Sequence, residues 1–140
     1  MRRINVGIIG FGTVGSGVVR CLAENGELIG RRTGITPVIK RVADIDVARD
    51  RGVALPAGAL TADAVGLIDS PDVDVVVELV GGRTVAKEFI LRALGRGKPV
   101  VTANKALLAH DGAEVFAAAA ASSADVYYEA SVAGGIPIIK

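Results

Sequence analysis

An apolar segment that leads into three regularly spaced glycines opens the chain and constrains its fold more than any other feature. Residues 4–9 form the segment, and Gly10, Gly12 and Gly15 follow in the pattern Gly-x-Gly-x-x-Gly. A stretch with helical periodicity is predicted directly afterwards, over residues 14–25. A buried strand, a glycine turn and a helix in this order predict a site for a dinucleotide pyrophosphate at the helix N-terminus.

The three glycines have different physical roles in this prediction. Gly10 permits a tight turn out of the strand, and Gly12 lacks a Cβ, so that the backbone can approach a pyrophosphate. Gly15 lets the helix pack closely against the strand. The N–H groups and the partial positive charge of the helix N-terminus then face the phosphates. A glycine turn without a ligand is the alternative interpretation of the same residues.

Strands and helices alternate along the rest of the chain. The further elements, in chain order, are predicted over residues 37–43 (strand), 62–68 (helix), 73–80 (strand), 84–94 (helix), 99–102 (strand), 111–122 (helix) and 125–129 (strand). Residues 27–36, after a helix stop at Gly26, and residues 130–137 are predicted to be loops. This alternation predicts an α/β fold with a doubly wound parallel sheet, the Rossmann fold, in a single domain over residues 1–140.

Residues with unusual chemical or backbone properties collect where the predicted strands end. Ligands of doubly wound sheets bind beyond the carboxyl ends of the strands, so these ends are predicted to form the site. The ends carry residues 10–15, Asp44, Gly81-Gly82, Asn104-Lys105 and residues 129–135. An acid after the second strand is expected to accept hydrogen bonds from the ribose hydroxyls of NAD. Asp44 is the first candidate for this role and Asp46 the second, and either could instead cap the next turn.

Charge and hydropathy exclude several kinds of partner. Lys and Arg number 16 and Asp and Glu 15, so the net charge is +1, which argues against an electrostatic nucleic-acid binder. The apolar runs fall well short of the ~20 residues that cross a bilayer, so no membrane partner is expected. The single cysteine, Cys21, excludes an internal disulfide and is compatible with a cytoplasmic location.

Lys105 is the cation among the residues at the strand ends. A lysine there can contact a substrate carbonyl or carboxylate, or the nicotinamide ribose, and a surface lysine that begins a helix is the alternative. The segments 97–109 and 128–139 closely resemble the corresponding stretches of homoserine dehydrogenases, and residues 7–15 and 77–82 fit the same family. The resemblance extends, in order, over nearly all 140 residues.

This resemblance implies a pyridine-nucleotide enzyme, homo-oligomeric at full length. Homoserine dehydrogenases interconvert homoserine and aspartate 4-semialdehyde on the route to threonine, methionine and isoleucine. The resemblance places Lys105 between cofactor and substrate, which makes it the candidate catalytic residue. Together, the motifs and the resemblance predict these cofactor-binding residues: Gly10, Phe11, Gly12, Thr13, Val14, Gly15, Asp44, Gly81, Gly82, Thr102, Asn104 and Lys105.

The resemblance also implies a sodium site near the end of the chain. Glu129 and the carbonyl groups of Val132, Gly134 and Ile136 match the family's ligands. Oxygen ligands from a turning backbone and one carboxylate suit a hard cation. A carboxylate held by backbone N–H groups is the alternative for Glu129.

Two departures from the family affect these expectations. The family chain continues beyond residue 140 as a catalytic and dimerisation domain, which holds the substrate-binding acids and the proton-transferring lysine. That domain is absent from this chain, so the sequence is expected to be the nucleotide-binding half and to be inactive alone. Many relatives carry an arginine just after the second strand, whereas this chain has Asp44 and Asp46. A carboxylate repels a 2′-phosphate, which favours NAD over NADP, although Arg41 and Arg49 leave NADP open.

Two other functions fit parts of the same sequence. One is the cofactor domain of another two-domain NAD(P)-dependent dehydrogenase, of the sugar or inositol type. Such enzymes usually show Glu-Lys-Pro where this chain has Ala-Asn-Lys at residues 103–105. The other is a noncatalytic module that senses nucleotides.

Overall fold

A six-stranded sheet forms the centre of the computed structural model, which describes residues 2–133 and 136. In chain order the strands are β1 (Arg2–Ile9), β2 (Ile35–Ala43), β3 (Leu60–Thr61), β4 (Val75–Glu78), β5 (Val100–Thr102) and β6 (Val126–Tyr127). All paired strands are parallel, and their order in the sheet is β3-β2-β1-β4-β5-β6. This is the strand order of the doubly wound dinucleotide-binding fold, so the predicted fold class is confirmed.

Helices cover both faces of the sheet. They are α1 (Thr13–Thr33), α2 (Ala64–Asp69), α3 (Thr84–Gly95) and α4 (Lys105–Ser122), with a 3₁₀-helix at Glu129–Ser131. Successive side chains of a strand point to opposite faces. Val76 accordingly packs in one hydrophobic cluster with residues of α2, α3 and α4, whereas Val77 packs in another with Val19 of α1. None of the helices in the described ranges is both long enough and apolar enough to cross a bilayer.

The first helix is longer than the sequence pattern predicts. Gly26 does not end it, and the predicted loop over residues 27–36 is wrong, because α1 continues to Thr33 and β2 begins at Ile35. A Cβ at Gly26 would meet no atom within 4 Å, so this glycine is tolerated at an open helix position. The end signal is Gly34, which has a φ of 75° and donates its N–H to the Gly30 carbonyl at 2.9 Å.

The fourth helix begins earlier than predicted. Its first residue is Lys105 rather than residue 111, because Asn104 is the N-cap and its side-chain oxygen accepts the Leu107 N–H at 3.1 Å. Asp111 resembles a cap in sequence, but it lies inside α4 and pairs with Arg83 and Lys87 of α3. The corrected start places Lys105 at the first turn of a helix.

The strand boundaries differ from the predicted ones mainly at the edges of the sheet. The last strand is β6 alone, so the predicted strand over 125–129 is too long, and the 3₁₀-helix at Glu129–Ser131 occupies the beginning of the predicted loop. The short strand β3 is not predicted by the sequence pattern, since two residues carry no periodicity. The helix predicted over 62–68 is confirmed as α2.

Candidate functional site

Two neighbouring clefts lie at the carboxyl end of the sheet. The β2-side cleft has a volume of about 430 Å³, and its lining includes Gly10, Gly12, Asp44, Ile45, Arg51 and Val80. The β5-side cleft has a volume of about 320 Å³, and its lining includes Val14, Glu78, Gly81, Asn104 and Lys105. Leu79 lines both clefts, so they adjoin just after β4. The predicted gathering of strand ends at one edge of the sheet is therefore accompanied by two adjoining clefts.

The glycine turn between β1 and α1 borders the β2-side cleft. Gly10 has a φ of 98°, and a Cβ there would lie 2.6 Å from the Leu79 carbonyl oxygen. A Cβ at Gly15 would lie 2.0 Å from the Gly10 carbonyl oxygen, so both glycines are required for the turn itself. A Cβ at Gly12, by contrast, would meet no atom within 4 Å. The space beside Gly12 is therefore open to a ligand.

The first turn of α1 offers hydrogen-bond donors to that open space. Gly12 is the N-cap, and no side chain caps the helix there. The N–H groups of Thr13, Val14 and Gly15 have no acceptor within the helix, because they belong to its first turn. Free N–H groups combined with the helix dipole favour an anionic group at this position.

Asp44 follows β2 and is tied to the glycine turn. Its Oδ2 accepts the Phe11 N–H at 2.6 Å, and its Oδ1 accepts the Asp46 N–H at 2.8 Å. The Nη2 atom of Arg51 lies 3.5 Å from the same Oδ1, and 14% of the Asp44 side chain is exposed. Asp44 therefore both borders the β2-side cleft and stabilises the turn beside it.

Arg51 is the main residue of this cleft that the sequence analysis missed. Its Nε donates to the Phe11 carbonyl at 2.8 Å, and its Nη1 and Nη2 donate to the carbonyls of Arg49 and Asp46 at 2.8 and 3.1 Å. Its guanidinium carbon lies 5.8 Å from the centroid of the Phe11 ring, and only 9% of its side chain is exposed. The clustering of charges over residues 44–51 is the sequence signal that points to such a contact.

These contacts keep Asp44 ionised. Burial by itself raises the pKa of the Asp44 carboxyl. The N–H groups of Asp46 and Phe11 and the positive charge of Arg51 outweigh that effect, so the pKa lies below its ordinary value. The β2-side cleft therefore presents a negative charge whose position is fixed by three neighbours.

Arg41 and Arg49, the arginines that kept NADP open, do not line the β2-side cleft. Arg41 lies on β2 and its Nε is buried without a hydrogen-bond partner, whereas Arg49 is exposed in the loop that follows β2.

The apolar lining of the β2-side cleft was also missed by the sequence analysis. It includes Ile45, whose exposed fraction is 97%, together with Val80 and Val85. Exposed apolar side chains around a cleft suit a flat aromatic group.

Lys105 stands at the β5-side cleft as the first residue of α4. It is exposed, and no ion pair involves it within the described part of the chain. Beside it, the Nδ2 of Asn104 donates to the Gly82 carbonyl at 2.6 Å. Gly81 and Gly82 have φ values of 77° and 72°, which only glycine adopts readily. Asn104 thus connects the start of α4 to the glycine pair after β4.

A buried polar network lies behind the wall of the same cleft. Glu78 has an exposed fraction of 0%, and its Oε1 and Oε2 accept from the Val80 N–H at 2.8 Å and the Thr102 hydroxyl at 2.7 Å. The Thr102 hydroxyl oxygen accepts the Asn104 N–H at 3.1 Å, and the Thr102 carbonyl accepts from the Ser131 hydroxyl at 2.8 Å. The network joins the ends of β4 and β5, and Glu78 was not among the predicted site residues.

The predicted cofactor residues therefore divide into two groups. Those that border a cleft are Gly10, Gly12, Val14, Asp44, Gly81, Asn104 and Lys105. Those that line neither cleft are Phe11, Thr13, Gly15, Gly82 and Thr102. The side chains of Phe11 and Thr102 are buried, so only the backbone of Phe11 takes part in the turn.

The predicted sodium ligands are only partly described. Glu129 begins the 3₁₀-helix, Val132 and Ile136 are exposed, and Gly134 lies outside the described residues. Over residues 2–133 and 136, no three His, Cys, Asp or Glu side chains are grouped so that they could hold a metal ion. The sodium site stays a prediction.

Comparison with known proteins identifies the family. A family model described as "Homoserine dehydrogenase, NAD binding domain" matches residues 10–129. The chain belongs to this family. A homoserine dehydrogenase of Bacillus subtilis is 45% identical over 140 residues, which are 100% of this chain and 32% of that protein. The resemblance seen in the sequence is confirmed, and neither alternative function gains support.

Solved structures of homoserine dehydrogenases agree with this assignment. That of Thiobacillus denitrificans has a TM-score of 0.90 and 45% identity, over 99% of this chain and 32% of that one. A hyperthermophilic archaeal homoserine dehydrogenase in complex with NADPH has a TM-score of 0.77 and 25% identity, over 97% of this chain and 46% of that one. This chain thus spans about a third of the Bacillus subtilis and Thiobacillus denitrificans chains.

Proposed function

We propose that the domain binds a nicotinamide dinucleotide along the two clefts. The adenosine half lies in the β2-side cleft, the pyrophosphate on the glycine turn, and the nicotinamide in the β5-side cleft. The observation that carries this proposal is the open space beside Gly12, which lines the β2-side cleft and is the N-cap of α1, whose first-turn N–H groups have no acceptor within the helix. Ile45, Val80 and Val85 suit the apolar faces of adenine.

We propose further that NAD is preferred to NADP. The ionised Asp44 carboxylate borders the β2-side cleft and can accept hydrogen bonds from ribose hydroxyls, while it repels a 2′-phosphate. Arg51 is committed to three backbone carbonyls and to the carboxylates of Asp44 and Asp46, so it is not free to receive a phosphate. The archaeal relative was solved with NADPH, so cofactor choice in this chain rests on its own Asp44.

The activity that we propose for the full-length enzyme is the interconversion of homoserine and aspartate 4-semialdehyde, in which the alcohol carbon of homoserine gives a hydride to the oxidised nicotinamide cofactor and its hydroxyl loses a proton, or the reverse. The cofactor supplies the hydride acceptor or donor when it is bound. Lys105 lies at the mouth of the β5-side cleft, where its ammonium group can hold a substrate carboxylate or carbonyl oxygen. The proton transfer is assigned, as the family resemblance implies, to a residue outside this domain, which spans 32% of the Bacillus subtilis relative.

The setting of the enzyme is proposed from the same family. The full-length enzyme is proposed to form homo-oligomers, to be cytoplasmic, and to act in threonine, methionine and isoleucine biosynthesis. A sodium ion is proposed to be held by Glu129 and the carbonyls of Val132, Gly134 and Ile136. No nucleic-acid or membrane partner is proposed, in keeping with the net charge of +1.

The test of the proposed binding mode is a Gly12→Val variant. A valine side chain fits the free protein, because nothing lies within 4 Å of the Cβ position and φ is −74°. It would occupy the space assigned to the pyrophosphate, so calorimetry should show an NADH affinity about tenfold weaker or worse. Gly17→Ala is the matched control, since Gly17 also lies in open space but inside α1. Equal NADH affinity for wild type and Gly12→Val would refute the assigned site.

A further inference from the structure

The β5-side cleft has a buried carboxylate behind its wall, and neither the sequence motifs nor the proposed function uses it. Glu78 is fully buried at the end of β4 and belongs to the lining of the cleft. Its two hydrogen-bond donors, Val80 and Thr102, directly precede Gly81 and Ala103 in sequence. Gly81 and Ala103 both line the cleft, so the carboxylate lies just behind two of its walls.

The hydrogen bonds of Glu78 match those of an ionised carboxylate. Each of its oxygens accepts, one from the Val80 N–H and the other from the Thr102 hydroxyl. The Thr102 hydroxyl is the donor to Glu78, and its oxygen also accepts the Asn104 N–H. Acceptors at both oxygens and no donor are the pattern of the charged form.

This negative charge has no positive partner among the residues that the structure describes. No ion pair involves Glu78 among residues 2–133 and 136, and both of its donors are neutral groups. A buried charge without a counter-charge is unfavourable in a protein interior. Asp44, at the end of β2 on the same edge of the sheet, is by contrast paired with Arg51.

We propose that Glu78 favours the oxidised cofactor, whose cationic nicotinamide ring supplies the missing positive charge. This inference rests on the placement of the nicotinamide in the β5-side cleft under the proposed function. The ring is positively charged when oxidised and neutral when reduced, while its size hardly changes. A carboxylate shielded from water interacts with such a charge with little screening. Glu78 therefore sets which redox form of the cofactor binds more tightly.

Lys105 is the charged residue of the cleft lining that opposes this effect. Its side chain is exposed at the start of α4, where water and salt screen its charge. Glu78 is fully buried, so its charge is screened less than that of Lys105. A nicotinamide ring that lies against the inner wall of the cleft therefore interacts more strongly with the negative charge of Glu78 than with the positive charge of Lys105.

The test compares the affinities of NAD⁺ and NADH for wild type and two variants by calorimetry. Glu78→Gln removes the charge and keeps the shape, and should weaken NAD⁺ about tenfold relative to NADH. Glu78→Asp keeps the charge and shortens the side chain, so the ratio of the two affinities should stay close to that of wild type even where both fall. An equal loss of both affinities in Glu78→Gln would reduce Glu78 to a structural role and overturn the inference.

A second measurement uses the unmodified protein and does not depend on how the variants fold. Benzamide adenine dinucleotide has a neutral ring of nearly the same shape as the oxidised nicotinamide. Wild type should bind NAD⁺ about tenfold more tightly than this analogue, and equal or tighter binding of the analogue would overturn the role of Glu78. Failure of wild type to bind any of the three dinucleotides would instead refute the proposed function.

Discussion

The two clefts differ in whether their charged side chains are paired within the protein. In the β2-side cleft, Asp44 is held by Arg51 and by two backbone N–H groups, so its charge is fixed and partnered. In the β5-side cleft, Glu78 and Lys105 have no ion pair in the described part of the chain. The carboxylate of the first cleft is thus paired within the protein, whereas the charged side chains of the second have no partner among the described residues.

The local structure explains this difference. In the β2-side cleft, the side chain of Arg51 donates to two carbonyl groups of the loop that follows β2 and to the carbonyl group of Phe11 in the glycine turn. These hydrogen bonds hold the loop and the glycine turn together. The β5-side cleft is formed by strand ends and the start of α4, which are joined through neutral groups of Thr102 and Asn104. Binding specificity is therefore expected from the first cleft and the chemistry of the reaction from the second.

The largest expected effect comes from the unpartnered lysine. In a full-length enzyme that contains this domain, Lys105→Ala should lower turnover by about 100-fold or more, because it removes the cation proposed to hold the reacting substrate. Affinity for NADH, measured by calorimetry, should change by no more than a few-fold. Lys40→Ala is the control, since Lys40 lies on β2 and makes only an exposed pair with Asp72 at 3.8 Å.

Two outcomes would contradict this assignment. A full-length Lys105→Ala enzyme with wild-type turnover would remove the lysine from the reaction. Homoserine oxidation by the 140-residue chain alone would show that the proton-transferring group does not lie outside this domain, and a spectrophotometric assay at 340 nm measures both.

The next largest effect is expected from a substitution in the β2-side cleft. Arg51→Met removes two ion pairs, with Asp44 and Asp46, and three hydrogen bonds to carbonyls while it keeps the aliphatic part of the side chain. Because only 9% of the Arg51 side chain is exposed, the free energy of unfolding should fall by about 2–3 kcal/mol. Chemical denaturation measures the loss, and NADH affinity should fall with it because the glycine turn loses its tether.

Arg49→Met provides the matched control for this comparison. Arg49 lies in the same loop, but it is exposed and its backbone rather than its side chain contacts Arg51. Its replacement should change the free energy of unfolding by no more than about 0.5 kcal/mol. Equal losses for the two variants would mean that the loop, and not the guanidinium of Arg51, stabilises the β2-side cleft.

The sequence predicts one cleft better than the other, for physical reasons. The roles of Gly10 and Gly15 follow from a local pattern, and the structure agrees that neither position has room for a Cβ. Arg51 contacts Phe11, which lies 40 residues earlier, and no local periodicity reports such a contact. The pairing of Glu78 with Thr102 depends on the register between β4 and β5, which is set by the whole sheet.

The boundaries of the helices also could not be predicted from local sequence patterns alone. Gly26 and Asp111 carry the local signs of a helix end and a helix start, yet both lie inside helices. In each case a tertiary or capping interaction decides the boundary: Gly34 ends α1, and Asn104 begins α4. The position of Lys105 at the first turn of α4 could not be predicted without that cap.

A smaller effect sharpens the description of the β5-side cleft. Asn104→Ala removes both the N-cap of α4 and the bond to the Gly82 carbonyl, and should cost about 1 kcal/mol of stability. Asn104→Ser retains a good N-cap but is too short to reach Gly82, so its stability should lie close to that of wild type. NADH affinity should fall in both variants, since the Gly81-Gly82 turn is released in both. An unchanged NADH affinity in Asn104→Ser would show that the tether to Gly82 has no part in binding.

The smallest effect concerns the acid dependence of the β2-side cleft. The pKa of Asp44 lies below its ordinary value although burial acts to raise it, because the N–H groups of Asp46 and Phe11 and the charge of Arg51 outweigh burial. Folding therefore favours the ionised form. Its contribution to stability is fully present above about pH 4, the ordinary pKa of an aspartate, and is lost as the pH falls through the lower pKa of the folded state.

The difference between wild type and Asp44→Asn isolates this contribution. The wild-type curve alone mixes several carboxylates, since the pKa values of Asp69 and Asp111 are also lowered, by hydrogen bonds from Arg92 and Lys87. The gap in unfolding free energy between the two proteins should be constant from pH 5 to 8 and narrow below about pH 4. A difference that stays constant down to pH 2 would mean that Asp44 stabilises the protein through its shape rather than its charge. The contrast between the β2-side cleft, whose charged side chains are paired, and the β5-side cleft would then rest on Arg51 alone.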